Sequence, residues 1–178
     1  MATQTEPPIF QRIGIGIISD THGLLRPEAL AVLHGCERII HAGDVGKPEV
    51  LQRLSELAPV TAVRGNNDKG EWAEELPINA NITVGQVSIY LIHDLTDLAI
   101  DPVAASVRVV ISGHSHKPSL QERDGVLYLN PGSTGPRRFK LPVTVAELTV
   151  RGQQINARII HLPIDSQLRH TADDLIYP

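Results

Sequence analysis

The first apolar run, "IGIGIISD" over residues 13–20, has the length of a strand, is rich in isoleucine and ends in Asp20 at a turn. A continuous apolar run of this kind fits a strand covered on both faces. Pro27 suits the first turn of a helix, and "PEALAVLHG" (27–35) sets Ala29, Leu30, Leu33 and His34 on one side before Gly35 ends it. "RIIHAGDV" (38–45) repeats the apolar run followed by Gly and Asp. A second helix is predicted over 47–58 from Val50, Leu51, Leu54 and Leu57, and "VTAVRGNND" (60–68) is a third strand. Strands alternating with short helices predict βαβ units and a parallel sheet. Beyond residue 80 the pattern changes: two strands flank Gly85 within 80–94, a short helix fits 101–107, and "VVIS" (109–112) is another buried strand. Asp124-Gly125 and Arg151-Gly152 each separate alternating segments, which is the chemistry of hairpin turns. The pattern therefore predicts two packed sheets, largely parallel in the first half and antiparallel in the second, with helices outside.

Length and charge set the scale. The 178 residues suit one domain spanning 1–178, with 1–11 and 163–178 as loosely ordered tails. A net charge of −4 with scattered Lys and Arg gives no footprint for a nucleic-acid duplex, while a small phosphorylated substrate stays open. Cys36 is the only cysteine, so neither an intrachain disulfide nor a thiolate metal cluster can form within one chain. No apolar run approaches the roughly 18 residues of a membrane span, and "MATQTEPPIF" lacks the features of a signal peptide. A soluble, cytoplasmic protein is expected, and both a monomer and a homo-oligomer are compatible with the sequence.

The candidate chemistry lies at the strand ends. Asp20 and His22 follow the first strand, Asp44 the second, Asn66 the third, His93 a fourth, and His114 with His116 a fifth. If the chain stays extended through "GHSH", His114 and His116 project the same way. The ends of strands in open α/β sheets meet at one edge, where ligands bind. Asp, Asn and His without Cys suit Mn, Zn, Fe or Ni. Seven ligands exceed the three or four that one catalytic ion takes, so two ions sharing a carboxylate account for the number.

"SDTHG" (19–23), "GDV" (43–45), "GNND" (65–68), "HD" (93–94) and "GHSHKP" (113–118), in that order, resemble the calcineurin-like metallophosphoesterase family, and in particular its small one-domain phosphodiesterases of bacteria and archaea. "LNPGS" (129–133) also resembles the family's late motif. The resemblance implies a four-layer α/β/β/α sandwich with two mixed β-sheets, and a two-metal phosphoesterase, phosphodiesterase before phosphomonoesterase, that attacks phosphorus in line with a metal-activated hydroxide. It implies that Asp20, His22 and His116 hold one divalent ion and Asn66, His93 and His114 the other, with Asp44 bridging; Mn is the first expectation. Asp44, Asn66, His93 and Asn67 form the candidate catalytic set. Asn67 stands where many relatives carry a histidine thought to protonate the leaving group, and an amide cannot do this. Asn67 and Arg137 are the candidates for substrate contact, with Arg138 beside them. His41 reads as a buried structural histidine, His34 and His161 as ordinary helix-face and strand-end residues, His170 as a solvated tail residue, and Asp68 and Asp94 as turn caps or ligand orienters. A related protein in retromer uses this fold as a scaffold, which is the competing reading.

Overall fold

A computed structural model of the protein describes residues 10–164 and 176–177. Six strands form one sheet in the order β11-β10-β9-β1-β2-β3, built from β1 (Arg12–Ile18), β2 (Arg38–His41), β3 (Val60–Ala62), β9 (Thr144–Arg151), β10 (Gln154–His161) and β11 (Ile176–Tyr177). Five form a second in the order β4-β5-β6-β8-β7, from β4 (Asn79–Val84), β5 (Val87–Ile92), β6 (Val109–Ile111), β7 (Ser119–Arg123) and β8 (Val126–Asn130). Both sheets are mixed. β1, β2 and β3 run parallel, but the β9-β10 hairpin returns to pair antiparallel with β1, while β5, β6 and β8 are parallel in the second sheet. The expected division into a parallel first half and an antiparallel second half is therefore corrected. A hairpin carries its own turn signal, but nothing local names the strand it will lie beside.

Alternation along each strand divides the apolar side chains among three layers. Ile15 and Ile17 of β1, Ile89 and Leu91 of β5, Leu127 and Leu129 of β8, and Leu148 and Val150 of β9 meet between the sheets. The other face of the first sheet, with Ile18 and Ile39, is covered by α1 (Pro27–Leu33) and α2 (Pro48–Ser55), each opened by a proline. Gly16 allows this approach, since a Cβ there would lie 2.3 Å from the Leu33 side chain. The outer face of the second sheet, with Tyr90, Ile92 and Val110, is covered by a 3-10 helix (Leu95–Asp97) and the turns that follow it.

Several elements differ from expectation. The segment 101–107 makes a single turn, capped by Asp101 Oδ1, which accepts from Val103 N at 3.0 Å and Ala104 N at 3.3 Å. Ser106 then takes a left-handed φ of 56° and ends it before a helix develops. A short helix, α3 (Glu71–Glu74), forms where none was expected. The second hairpin turns at 152–153, one residue later than predicted, because Arg151 pairs with Gln154. The expected C-terminal tail falls mostly outside the described residues, as does His170. Ile176 and Tyr177, however, pair with Arg158 and Ala157 of β10 as an edge strand.

Candidate metal centre

The parallel strands β1, β2 and β3 end at one edge of their sheet, and β5 and β6 end beside them, so five loops converge there. The loop after β1 pairs with the loop after β2: Asp20 N donates to Gly43 O at 3.0 Å, His22 N to Asp44 O at 2.9 Å and Gly23 N to Val45 O at 2.8 Å. Five of the seven candidate ligands, Asp20, His22, Asp44, His114 and His116, have left-handed φ values between 46° and 63°. Non-glycine residues take this conformation at a cost and do so mainly at functional sites. It also overturns the expectation that His114 and His116 project together. Both lie past the end of β6, in left-handed turns, and they diverge. His116 turns toward Asp20 and His22, while His114 turns toward Asn66 and His93.

The first cluster is Asp20, His22 and His116. His116 Nε2 lies 3.2 Å from Asp20 Oδ1, and the His22 and His116 rings stack at 5.3 Å with their Nε2 atoms 3.4 Å apart. Asp20 is fully buried. Its Oδ2 accepts from Ser19 Oγ at 2.7 Å and His114 N at 3.1 Å, while its Oδ1 has no hydrogen-bond partner among the described residues. A buried carboxylate oxygen left bare and facing two imidazole nitrogens is costly unless a cation stands among them. The residues fit a divalent ion.

Around Asn66 the second cluster forms, its carbonyl oxygen facing His93 Nε2 at 3.1 Å and His114 Nδ1 at 3.0 Å. His93 gives its Nδ1–H to Ala42 O at 2.7 Å, which turns its Nε2 lone pair into the site. Burial lowers the His93 pKa, but the Asp44 carboxylate and the Ala42 carbonyl outweigh it and leave the pKa raised. The field that draws a proton to Nε2 also draws a metal ion. His114 uses its nitrogens the other way round, with Nε2 3.3 Å from Asp94 Oδ2. Asp94 also accepts from Thr96 N and Thr96 Oγ1, at 2.9 and 2.8 Å, so it is held while it orients the ring. Asp94→Asn is expected to weaken metal affinity and hydrolysis by about 10–100-fold, the usual effect of losing such a partner. Competition against a calibrated chelator measures the affinity directly.

Asp44 stands between the clusters. Its Oδ2 is 3.8 Å from His22 Nε2 and its Oδ1 3.5 Å from His93 Nε2. Burial would raise its pKa, yet His93 and the two Asn67 hydrogen bonds hold the carboxyl well below the usual range, so it is ionised. Asn67 is the clamp: its backbone N donates to Oδ1 at 2.8 Å and its Nδ2 to Oδ2 at 2.6 Å. Gly65 makes room for this, since a Cβ there would lie 2.2 Å from both Asp44 N and Asp44 Oδ1. Side-chain atoms of Asp20, Asp44 and His93 also come within 4.8 Å of one another, so Asp20 lies near both clusters.

Other residues find definite places. Asp68 ties two loops by accepting from Gly46 N at 2.7 Å and Gly65 N at 2.8 Å. His41 is buried behind the site, with Nε2 2.9 Å from Thr21 Oγ1 and Nδ1 accepting from Gly43 N at 3.2 Å. His34 and His161 are exposed. Arg137 is exposed on the loop after "NPGSTG", and the Nη2 of Arg138 on the same loop reaches His22 Nε2 at 3.3 Å. The "NPGS" motif works as a buttress. Asn130 Nδ2 donates to Gly113 O at 2.7 Å and Ser133 Oγ to Asp20 O at 3.0 Å, linking the last loop to the first and fifth. Sequence reasoning left these roles unassigned, and the motif's own match was the available signal.

The family model of the calcineurin-like phosphoesterase superfamily domain matches residues 13–153. A probable metallophosphoesterase of Methanothermobacter thermautotrophicus is 35% identical over 158 residues, covering 82% of this chain and 91% of that protein. A phosphodiesterase of Methanocaldococcus jannaschii is 29% identical over 136 residues, covering 66% of this chain and 82% of that protein. Among solved structures, Vps29 from Chaetomium thermophilum superposes with a TM-score of 0.76 at 19% identity, over 93% of this chain and 96% of that one, which shows a shared fold.

Proposed function

Because this chain belongs to the calcineurin-like phosphoesterase superfamily, we propose that it is a two-metal phosphodiesterase acting on a small phosphorylated substrate. The observation that carries this reading is Asp44, an ionised carboxylate with one oxygen toward His22 and the other toward His93. Asp20, His22 and His116 would hold one ion, Asn66, His93 and His114 the other, and Asp44 both. Manganese is the first choice, with zinc, iron and nickel also suited to this donor set. Divalent cations held by these residues would supply the acidity for a bound water and offset the charge that builds during in-line attack.

The chain's own residues shape the rest. Two carboxylates among neutral imidazoles and one amide leave a loaded site positive, which attracts phosphate. Arg138 stands at its rim, where a guanidinium can hold a phosphoryl oxygen. Asn67 spends its amide on Asp44 and offers no ionisable proton. A leaving group must therefore depart as a stable anion, which favours acidic aryl or comparable esters. A named phosphodiesterase among the relatives supports the diester preference.

The test is a leaving-group series on protein of measured metal content. Aryl diesters are expected to turn over far faster than alkyl monoesters, since a missing acid costs roughly 10²–10⁴ in rate for basic leaving groups. A shallow dependence on leaving-group pKa would mean that another acid serves the site. Failure to hydrolyse any phosphoester with both ions bound would favour the scaffold role on the same fold.

A further inference from the structure

We propose that the groove beside His114 is a subsite for one substituent of a phosphodiester, and that this substituent is a planar, hydrogen-bonding group of the nucleoside class. The inference rests on the phosphodiesterase reading above. Two cavities open from the second ligand cluster and share Asp94 as the ridge between them. One, of about 260 Å³, runs from His114 over the outer face of the β7-β8 hairpin. The other, of about 200 Å³, runs from Asn66 and His93 toward Arg64, Ile78 and Asp97. A tetrahedral phosphorus held at Asn66, His93 and His114 thus has two separate channels for two ester arms. A monoester needs only one.

The larger channel is built for a flat group. Its far end is Tyr128, half-buried, with the Arg123 guanidinium 5.2 Å from the ring centroid. Arg123 is held in place because its Nη2 donates to Gln121 Oε1 at 2.6 Å, and Gln121 pairs with Tyr128 across the hairpin. A guanidinium fixed in this way presents a flat cationic face, which stacks on heteroaromatic rings as in single-stranded nucleic-acid sites. Leu95 gives apolar wall, while Ser115 and Ser119 offer hydroxyls along the path. Ser115 Oγ accepts from Asn130 Nδ2 at 3.1 Å and Lys117 N at 3.3 Å, so its own proton remains to be donated to a ligand. The volume lies below the roughly 300–1,000 Å³ of sites for drug-sized ligands, which suits one ester arm and not a polymer.

Thymidine, which is uncharged and needs no metal, is the probe. Titrated into metal-stripped protein and followed by amide chemical shifts, it is expected to bind in the millimolar range and to shift Leu95, Ser115, Arg123 and Tyr128, whereas deoxyribose does not. Arg123→Gln, at an exposed position, and Tyr128→Leu, which keeps an apolar side chain in the strand, should each weaken binding at least about fivefold, given the stacking lost. Absence of shifts in the groove, equal response to deoxyribose, or unchanged binding in both variants would overturn the subsite. Hydrolysis of thymidine 5′-(4-nitrophenyl phosphate), a diester whose phenol can depart as a stable anion, by metal-loaded protein separates the two readings. Binding of thymidine with the expected shifts but no turnover of any diester sinks the phosphodiesterase reading, while diester turnover without groove shifts sinks the subsite alone.

Discussion

Asp44→Asn is expected to bind fewer divalent ions per chain than wild type and to lose at least about 100-fold in phosphoester hydrolysis, beyond the range for orienting partners such as Asp94. The amide keeps the size of Asp44 but not its charge. The Asn67 Nδ2–H then faces whichever group of residue 44 replaces Oδ2, so the clamp seen at 2.6 Å is weakened as well. Two cations about 3.5–4 Å apart repel strongly, and an anion between them is what offsets this. Chelator treatment of wild type should remove hydrolysis altogether, with Mn²⁺ restoring it. His34→Ala, at the exposed end of α1, should leave metal content and rate as they are. Elemental analysis of the purified variants beside initial rates checks all three. Full turnover in metal-stripped wild type, or full metal content in Asp44→Asn, would contradict the bridging role.

His41 is expected to make the protein lose stability as the medium turns acidic. Burial lowers its pKa from 6.5 to about 4, against the smaller opposing pull of Asp68 and Asp20. A histidine depressed in this way is neutral when folded and protonates more readily when unfolded. Its contribution is therefore complete above pH 6.5, falls by about 1.4 kcal/mol per pH unit below that, and is gone by about pH 4, for a total of about 3 kcal/mol. His93, whose pKa is raised, acts with the opposite sign: what it contributes is present below the unfolded value and lost as pH rises. The comparison must therefore isolate one group. Urea unfolding of chelated wild type and His41→Gln at pH 7 and pH 5 does so, and the difference between the two proteins should shrink by about 2 kcal/mol across that interval. An unchanged difference would mean that His41 does not titrate where its burial places it.

Legibility in the sequence followed the range of the interaction concerned. The strands and the first two helices were readable because their apolar periodicity and the prolines at 27 and 48 are local signals. Their ends were not. The runs read as strands through Asp20, Val45 and Asp68 stop at Ile18, His41 and Ala62, since the polar residues beyond bond to neighbouring loops and not to a sheet ladder. The ligand types and their order were equally plain, being carried by five short motifs.

Their geometry was not plain. Asp94 and Asp68 could each cap a turn or orient a ligand as far as one dimension shows. Only the approach of His114 to one, and of Gly46 and Gly65 to the other, separates them. The contact of Arg138 with His22 was likewise not legible, because it depends on the path of the loop between Gly135 and Leu141. The chain by itself determined which residues can bind metal and that they follow successive strands, since both are matters of side-chain chemistry and local pattern. The tertiary structure alone decided where they meet: left-handed turns at His114 and His116 send one imidazole to each cluster, Asn67 closes on Asp44, and the β7-β8 hairpin sets Tyr128 and Arg123 beside the site. Those outcomes depend on contacts between residues tens of positions apart, which strand pairing creates and no local pattern encodes.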